Sequence, residues 1–233
     1  MPLSRSFLQP RVVGGGPGPL SWFVSARRRR ALGLYLLVHA LASTEPYDVV
    51  LPSRVWGAAV GLSDSASSRV FVSSSWSWLE QCRLIRTNRD GRLRRIWLLD
   101  DSGSGDLYSH SSDANEKRLD YFKLPYAFWL ERWDERLDLP ALAVLLIALS
   151  LPRTFSLPQE RGGAWYGLSR DTIRRGVSTL RRYELLGMRV TYVATTSSPT
   201  GATEQRRYTL DGAFSRQHRR ARRKPPDKQQ VNQ

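Results

Sequence analysis

Arginine side chains recur at helical spacing in the last third of the 233-residue chain. At 3.6 residues per turn, five polar residues fall on one side of a helix: Arg170, Arg174, Arg175, Ser178 and Arg182. A guanidinium group is a planar fork of donors, and it forms paired hydrogen bonds with a phosphate or with the edge of a guanine base. The pattern therefore predicts a helix surface that binds a polyanion. An arginine-rich face that only contacts solvent is the alternative interpretation.

A second set of candidate binding residues lies in the first half of the chain. Val72, Trp76 and Leu79 predict the buried side of another helix, which leaves Arg69 and Ser73 on its outer side. The outer side is rich in serine, and serine side chains allow close approach to a sugar-phosphate backbone but discriminate bases weakly. We therefore expect this helix to contribute less to sequence recognition than the arginine-bearing helix.

A predicted β-hairpin follows that serine-faced helix. Residues 88–92 contain Asp-Gly between two apolar runs, which is typical of a hairpin turn. Arg89 and Arg92 at the tip are expected to lie along the backbone of a polyanion. Arg94 and Arg95 are explained equally well by surface charge on an edge hairpin.

The charge of the whole chain supports a nucleic-acid partner. The sequence has 36 Lys and Arg residues against 21 Asp and Glu residues, a formal net charge of +15. Basic side chains that neutralise phosphates gain affinity by releasing condensed counterions. Residues 100–138 are the exception, with ten acidic and five basic side chains. A segment of opposite sign between two basic halves is typical of a linker.

Two stretches of the chain share one pattern of motifs. Leu51-Pro52 and Gly61-Leu62-Ser63 in the first stretch correspond to Leu157-Pro158 and Gly167-Leu168-Ser169 in the second. Ten positions separate the Leu of the first motif from the Gly of the second motif in both stretches. Pro is favoured in the first turn of a helix, so each Leu-Pro pair predicts the start of a short helix.

Further elements are predicted around these motifs. An apolar run before each Leu-Pro pair predicts a helix, and so does a longer segment after each Gly-Leu-Ser motif: 31–42, 139–149, 67–82 and 170–186. Gly187 is expected to end the last of these helices. Two strands are expected after each long helix: 84–87, 93–99, 190–195 and 206–210. Alignment of the two stretches requires about five extra residues in the first.

Three helices followed by a β-hairpin resemble the winged-helix superfamily of bacterial DNA-binding proteins. Tandem copies are similar to those of plasmid-type replication initiators and of small transcription regulators. The resemblance implies an α+β, mainly helical fold with two winged-helix domains in tandem and basic disordered tails. The expected organisation is a flexible arm (1–27), a first winged-helix domain (28–105), an acidic linker and N-terminal extension of the second domain (106–138), a second winged-helix domain (139–214) and a disordered basic tail (215–233).

The function that this resemblance implies is non-enzymatic binding of double-stranded DNA by a transcription regulator. The third helix of the second domain would enter the major groove, and the hairpin of the first domain would lie on the DNA backbone. A replication initiator of a plasmid or mobile element, with the same fold, is one alternative. A winged helix that binds protein is another, and self-association as a dimer stays open.

Catalytic and metal-binding chemistry is not expected from the residue types. Cys82 is the only cysteine, and His39, His110 and His218 lie far apart in no metal-ligand spacing. The acidic residues of 131–138 alternate with arginines, as in ion pairs along a helix. We therefore expect no enzymatic activity, no metal, no cofactor and no small-molecule ligand.

The basic run Arg27–Arg30 and the apolar run after it have the form of an export signal. The repeated pattern, however, requires this apolar run as a helix of the fold. Neither this run nor 139–151 is long enough to span a bilayer. We therefore expect a cytoplasmic protein that does not bind membranes.

Overall fold

The structure, a computed structural model, describes residues 1–9, 16–91, 93–109, 121–157, 162–194 and 202–215. It is an α+β fold with small antiparallel sheets. Its helices are α1 Leu20–Ser25, α2 Arg29–Leu41, α3 Ser53–Ala59, α4 Ala66–Gln81, α5 Ala127–Leu130, α6 Trp133–Arg136, α7 Leu139–Ser150, α8 Gly162–Tyr166 and α9 Arg170–Arg182. Its strands are β1 Pro2–Ser4, β2 Asp48–Leu51, β3 Ile85–Asp90, β4 Leu93–Leu98, β5 Tyr121–Lys123, β6 Thr154–Phe155, β7 Leu186–Ala194 and β8 Ala202–Leu210.

The two stretches that share motifs also share the order of their elements. The first, residues 29–98, consists of α2, β2, α3, α4, β3 and β4, and we call it unit one. The second, residues 139–210, consists of α7, β6, α8, α9, β7 and β8, and we call it unit two. Each unit has a three-stranded antiparallel sheet with its last strand in the centre, in the orders β2–β4–β3 and β6–β8–β7.

The turn after the third helix has the same geometry in both units. Arg83 and Glu184 occupy equivalent positions, and their φ angles of 56° and 57° are both left-handed. The next residue in each unit donates its backbone N–H to an equivalent carbonyl: Leu84 to Leu79 at 3.1 Å, and Leu185 to Leu180 at 2.9 Å. Positive φ is uncommon outside glycine. Its presence at the same place in both units indicates one shared turn geometry.

The extra residues of unit one are divided between a turn and a helix. α4 begins five residues after Gly61, whereas α9 begins three residues after Gly167. α4 then has 16 residues, and α9 has 13. The turn of unit one is therefore longer by two residues, and its third helix is longer by three.

The predicted end of the last helix is wrong. α9 ends at Arg182, four residues before the predicted Leu186, and Gly187 lies inside β7. The left-handed backbone of Glu184 ends the helix, and the strand begins two residues later. Gly187 has a packing role instead, because an added Cβ would collide with the carboxylate of Asp211.

The structure also corrects the prediction of a flexible arm over residues 1–27. In the described part of this segment, β1 pairs with β5 in antiparallel register, with Leu3 opposite Phe122. Leu3, Phe7 and Phe23 are fully buried, and the rings of Phe7 and Phe23 lie 5.9 Å apart. A three-residue strand, a 3-10 turn and a six-residue helix are too short to show a periodic pattern.

Residues 121–138, predicted as linker and N-terminal extension, pack onto unit two. Trp133 of α6 lies edge-on to Tyr183, with ring centroids 5.7 Å apart, and 6.2 Å from the ring of Phe214. Asp138 caps α7 by accepting the backbone N–H of Ala141 at 2.9 Å. Residues 110–120 of the predicted linker and 216–233 of the predicted tail lie outside the described residues.

One continuous hydrophobic core joins the N-terminal segment, unit one and unit two. Phe23 of α1 packs edge-on against Trp78 of α4, with ring centroids 4.8 Å apart. Arg29 at the start of α2 donates from Nε to the carbonyl of Leu137, 2.9 Å away, just before unit two. The two units therefore share buried surface and form one packed body.

A buried polar network ties the N-terminal segment to unit one. Oδ1 of Asp101 accepts the hydroxyl of Tyr35 at 2.6 Å and lies 2.9 Å from Nε2 of His39. Oδ2 accepts the backbone N–H of Ser4 at 2.7 Å. Burial raises the pKa of this carboxyl, but the nearby His39 and the hydrogen bonds outweigh it, so the pKa of Asp101 lies below its ordinary 3.8. The fold stabilises the charged carboxylate.

Candidate nucleic-acid interface

α9 presents an arginine-rich face to solvent. The five residues predicted on this face are all exposed: Arg170, Arg174, Arg175, Ser178 and Arg182. The predicted apolar stripe is buried: Ile173, Val177 and Leu180. At 100° per residue, the arginines cover about 140° of the helix circumference over a length of about 18 Å.

Arg181 belongs to the same face, and we did not predict it. It is exposed, and around the helix axis it falls between Arg170 and Arg174. Helical spacing alone could have identified it. With Arg181 included, the exposed face of α9 carries five guanidinium groups and the single carboxylate of Asp171.

Packing against α7 sets the position of this face. Ser169 caps the start of α9, and its Oγ accepts the backbone N–H of Thr172 at 3.1 Å. Midway along the helix, Gly176 lies so close to α7 that an added Cβ would collide with the carbonyl oxygen of Pro140 and lie 2.6 Å from Cγ2 of Val144. α7 itself is buried from residue 141 to residue 150. The arginines therefore project from a helix whose backbone is held by the core.

The ion pair between Arg174 and Asp171 on the α9 face is weak and exchangeable. Nη2 of Arg174 lies 2.7 Å from Oδ1 of Asp171, and the two side chains are 74% and 60% exposed. The hydrogen bond from Arg174 lowers the pKa of Asp171. Water screens such an exposed pair, so Arg174 can replace the carboxylate with a phosphate. The guanidinium group of Arg182 lies over the ring of Tyr183, 5.3 Å from its centroid, within the range of a cation–π contact.

α4 presents a less charged surface. Arg69 and Ser73 are exposed on one side of it, as predicted. Arg69 forms an ion pair with Asp64 at 2.9 Å, and the hydroxyl of Ser77 donates to the carbonyl of Ser73 at 3.2 Å. α4 therefore offers fewer free donors than α9.

The hairpin of β3 and β4 brings two arginines together. Arg89 stands directly opposite Arg94 in the ladder, so both side chains lie on the same face of the hairpin. Like charges at opposite positions destabilise a β-ladder. Arg89 is exposed, and Arg94 donates to Oγ1 of Thr87 at 3.5 Å. The pair indicates a position where an anion would relieve the repulsion. Arg92, the other predicted tip residue, lies outside the described residues.

The opposite face of this hairpin has a structural role. The guanidinium groups of Arg86 and Arg95 lie 4.9 Å and 5.9 Å from the ring centroid of Trp97. Arg95 also forms an ion pair with Asp48 of β2 at 2.8 Å. Arg95 therefore stabilises the sheet of unit one by joining β4 to β2.

The hairpin of unit two carries basic residues that the sequence did not indicate. Arg189 of β7 stands directly opposite Arg207 of β8, and both are exposed. Tyr192, farther along β7, is 74% exposed. We predicted that β7 begins at Val190, so Arg189 fell outside the predicted strand and its pairing with Arg207 could not be recognised.

No group of three or more His, Cys, Asp or Glu side chains among the described residues is placed to hold a metal ion. None of the helices in these residues combines the length and the apolar character needed to cross a membrane.

The candidate interface thus consists of α9 with its five arginines, the basic hairpins of both units and the serine-rich face of α4. The chain matches no protein-family model, no curated protein and no solved structure at a significant level.

Proposed function

We propose that this chain is a non-enzymatic protein that binds duplex DNA through two winged-helix units in tandem. Three helices followed by a β-hairpin, the order typical of a winged helix, occur in both units and support this assignment. The third helix is the element that such proteins place in the major groove. It is α4 in unit one and α9 in unit two.

The arginine face of α9 is the observation that carries the proposal. The major groove is about 12 Å wide and admits one helix. The buried side of α9 faces α7, so the arginine face is the side that a duplex would contact. Arginine forms paired hydrogen bonds with O6 and N7 of guanine, and it binds phosphates equally well. We assign base recognition to this helix.

Unit one has a different role in this proposal. The serine-rich face of α4 would contact the sugar-phosphate backbone, and the pair Arg89 and Arg94 would bind a phosphate or line the minor groove. Backbone affinity would come mainly from unit one, and sequence preference would come mainly from unit two.

The biological role that we propose is transcription control, with replication initiation on a plasmid or mobile element as the alternative. Selection of bound DNA from random oligonucleotides distinguishes the two roles once the selected motif is located in the source genome. Motifs beside promoters support a regulator. Repeated motifs near an origin of replication support an initiator.

Replacement of Arg174 and Arg182 by Ala tests the α9 assignment. Each arginine contact to a base or phosphate has a large share of the binding free energy, so we expect the double variant to bind the selected duplex at least about thirtyfold more weakly than the unchanged protein. A gel-shift titration at fixed salt gives the two dissociation constants. Both residues are exposed, so the thermal midpoint should not change.

A charge-matched variant separates this effect from general electrostatics. Lys123 and Arg132 are exposed and lie outside both units, and their replacement by Ala removes the same two positive charges. We expect this control to bind the duplex within about twofold of the unchanged protein. Equal affinities of the α9 variant and the control variant would contradict the assignment of α9.

Replacement of Arg89 by Ala tests the role of the unit-one hairpin. A phosphate contact adds about one to the slope of log K against log salt, so the slope should become shallower by about one. Sequence preference should stay the same, because a phosphate contact reads no base. Binding measured at four salt concentrations gives the slope, with Lys123→Ala as the control. An unchanged slope would remove Arg89 from the interface.

A further inference from the structure

A cleft of about 720 Å³ lies beside the start of α2. Its walls come from Arg27–Arg30 and Gly33, from the end of α3 and Phe71 of α4, and from residues 129, 134 and 135 of the segment that leads to unit two. Pockets for small ligands have volumes of about 300–1,000 Å³. The cleft is therefore large enough for a ligand the size of a nucleotide.

Four consecutive arginines, Arg27 to Arg30, line this cleft. Arg29 stabilises the fold through hydrogen bonds to two backbone carbonyls. Arg29 donates from Nε to the carbonyl of Leu137 at 2.9 Å and from Nη2 to the carbonyl of Asp134. Arg29 thereby joins α2 to the end of α6. Of the residues that the structure describes, none forms an ion pair with Arg27, Arg28 or Arg30.

Aromatic rings hold two of the remaining guanidinium groups. Arg28 lies over Trp78 and Arg30 lies over Phe71, each 5.8 Å from the ring centroid. A cation within about 6 Å of a ring centroid is attracted to the face of the ring. These contacts restrain the two arginine side chains before any ligand binds.

The acidic residues of the cleft do not neutralise this charge. Glu135 is held by Arg132, with Nη2 to Oε1 at 2.5 Å. Asp134 lies beside Arg29 and offsets its charge. Arg27, Arg28 and Arg30 thus form a concentration of positive charge whose mutual repulsion a bound anion would relieve.

Two aromatic residues lie in the wall of the cleft, Phe71 and Trp129. Flat aromatic rings suit contact with a planar base. The cleft therefore combines basic side chains with aromatic surface.

We propose that this cleft binds a phosphate-bearing ligand of nucleotide size through the guanidinium groups of Arg27, Arg28 and Arg30. The phosphate can come from a free nucleotide or from the backbone of DNA, and both present the same oxygens to the arginines. The site is separate from α9 and does not depend on the proposed DNA contacts there.

Calorimetric titration of the full chain tests the proposal, with ATP in the absence of divalent cations and inorganic tripolyphosphate as probes. We expect saturable binding of both probes to the unchanged protein. Arg27→Asn combined with Arg30→Gln should weaken binding at least tenfold, because two charge-assisted contacts are lost. Asn suits the positive φ of 54° at residue 27, and Gln keeps the helix. An unchanged thermal midpoint checks the fold.

Arg174→Ala combined with Arg182→Ala is the matched control, since it removes two arginines at a different surface. This control should bind both probes as the unchanged protein does. Absence of probe binding to the unchanged protein at millimolar concentration, full affinity in the cleft variant, or equal loss in the α9 control would overturn the proposal. Affinity for duplex DNA identifies the source of the phosphate. Weaker duplex binding by the cleft variant indicates the DNA backbone, and unchanged duplex binding indicates a free nucleotide.

Discussion

Replacement of Asp101 by Ala should lower the free energy of unfolding by about 3–5 kcal/mol, the usual cost of removing one partner from a buried charged group. Asp101 is 1% exposed, and its carboxylate accepts hydrogen bonds from Tyr35 and from the backbone of Ser4, with His39 at 2.9 Å. The variant leaves these three groups buried without their acceptor. Urea unfolding followed by tryptophan fluorescence measures the loss, and the melting temperature should fall by about 10 °C.

Asp106 in the same loop provides the control for Asp101. It is exposed, and its carboxylate accepts the hydroxyl of Ser104, also exposed, at 2.8 Å. Asp106→Ala should change the unfolding free energy by less than about 0.5 kcal/mol. A small effect at both positions would show that the buried network does not stabilise the fold.

The same network predicts how stability depends on pH. The pKa of Asp101 in the folded chain lies below the ordinary 3.8, so the unfolded chain binds a proton at this carboxyl more readily. The contribution of Asp101 is therefore fully present above about pH 4 and is lost as the pH falls through the folded pKa. Unfolding curves at a series of pH values should show a smaller acid dependence in Asp101→Ala than in the unchanged protein.

Replacement of Gly176 by Ala should destabilise the protein, although alanine favours helices. The change gains about 1 kcal/mol in helix propensity. The new methyl group, however, meets the backbone carbonyl of Pro140 and Cγ2 of Val144, and backbone cannot move aside as a flexible side chain can. Because overpacking of a rigid core costs more than this gain, we expect a net loss of about 1–3 kcal/mol. On the proposed function, the displaced α9 should also bind DNA more weakly.

Gly33 provides the control, because it is a second helical glycine in a different environment. An added Cβ there would lie 3.6 Å from Cγ1 of Val60, an ordinary contact. Gly33→Ala should therefore stabilise the protein by about 0.5–1 kcal/mol. Thermal unfolding of both variants tests this expectation. Gly176→Ala should lower the free energy of unfolding, and Gly33→Ala should raise it. Stabilisation by Gly176→Ala would show that α7 and α9 do not approach as closely as described.

The helical part of the candidate site was predictable because its burial repeats along the chain. In α9 the apolar residues Ile173, Val177 and Leu180 fall on one stripe, so the outward position of Arg174 followed from spacing alone. In α4 the stripe headed by Val72 allowed the same inference for Ser73. The outward positions of these side chains follow from the periodicity of nearby residues, so no long-range contact has to be known to predict them.

The remaining features depend on contacts between distant residues, which one sequence does not display. β2 and β6 have only four and two residues, and they become strands because β4 and β8 pair with them. Asp101 lies in a Ser/Gly-rich segment that is typical of a solvated loop. Its burial depends on Tyr35 and Ser4, which are 66 and 97 positions away.

The shared core has a consequence for the shape of a target site. Since α4 and α9 belong to one packed body, they cannot adjust their separation as two domains on a flexible tether would. On the proposed function, the phosphates that unit one contacts must then lie at a fixed distance and helical phase from the bases that α9 reads, because DNA turns once in about 10.5 base pairs. A duplex that ends between these two places would lose the backbone contacts of unit one, although α9 still reaches its bases. The DNA segment covered by this protein would therefore be longer than the base sequence that it recognises.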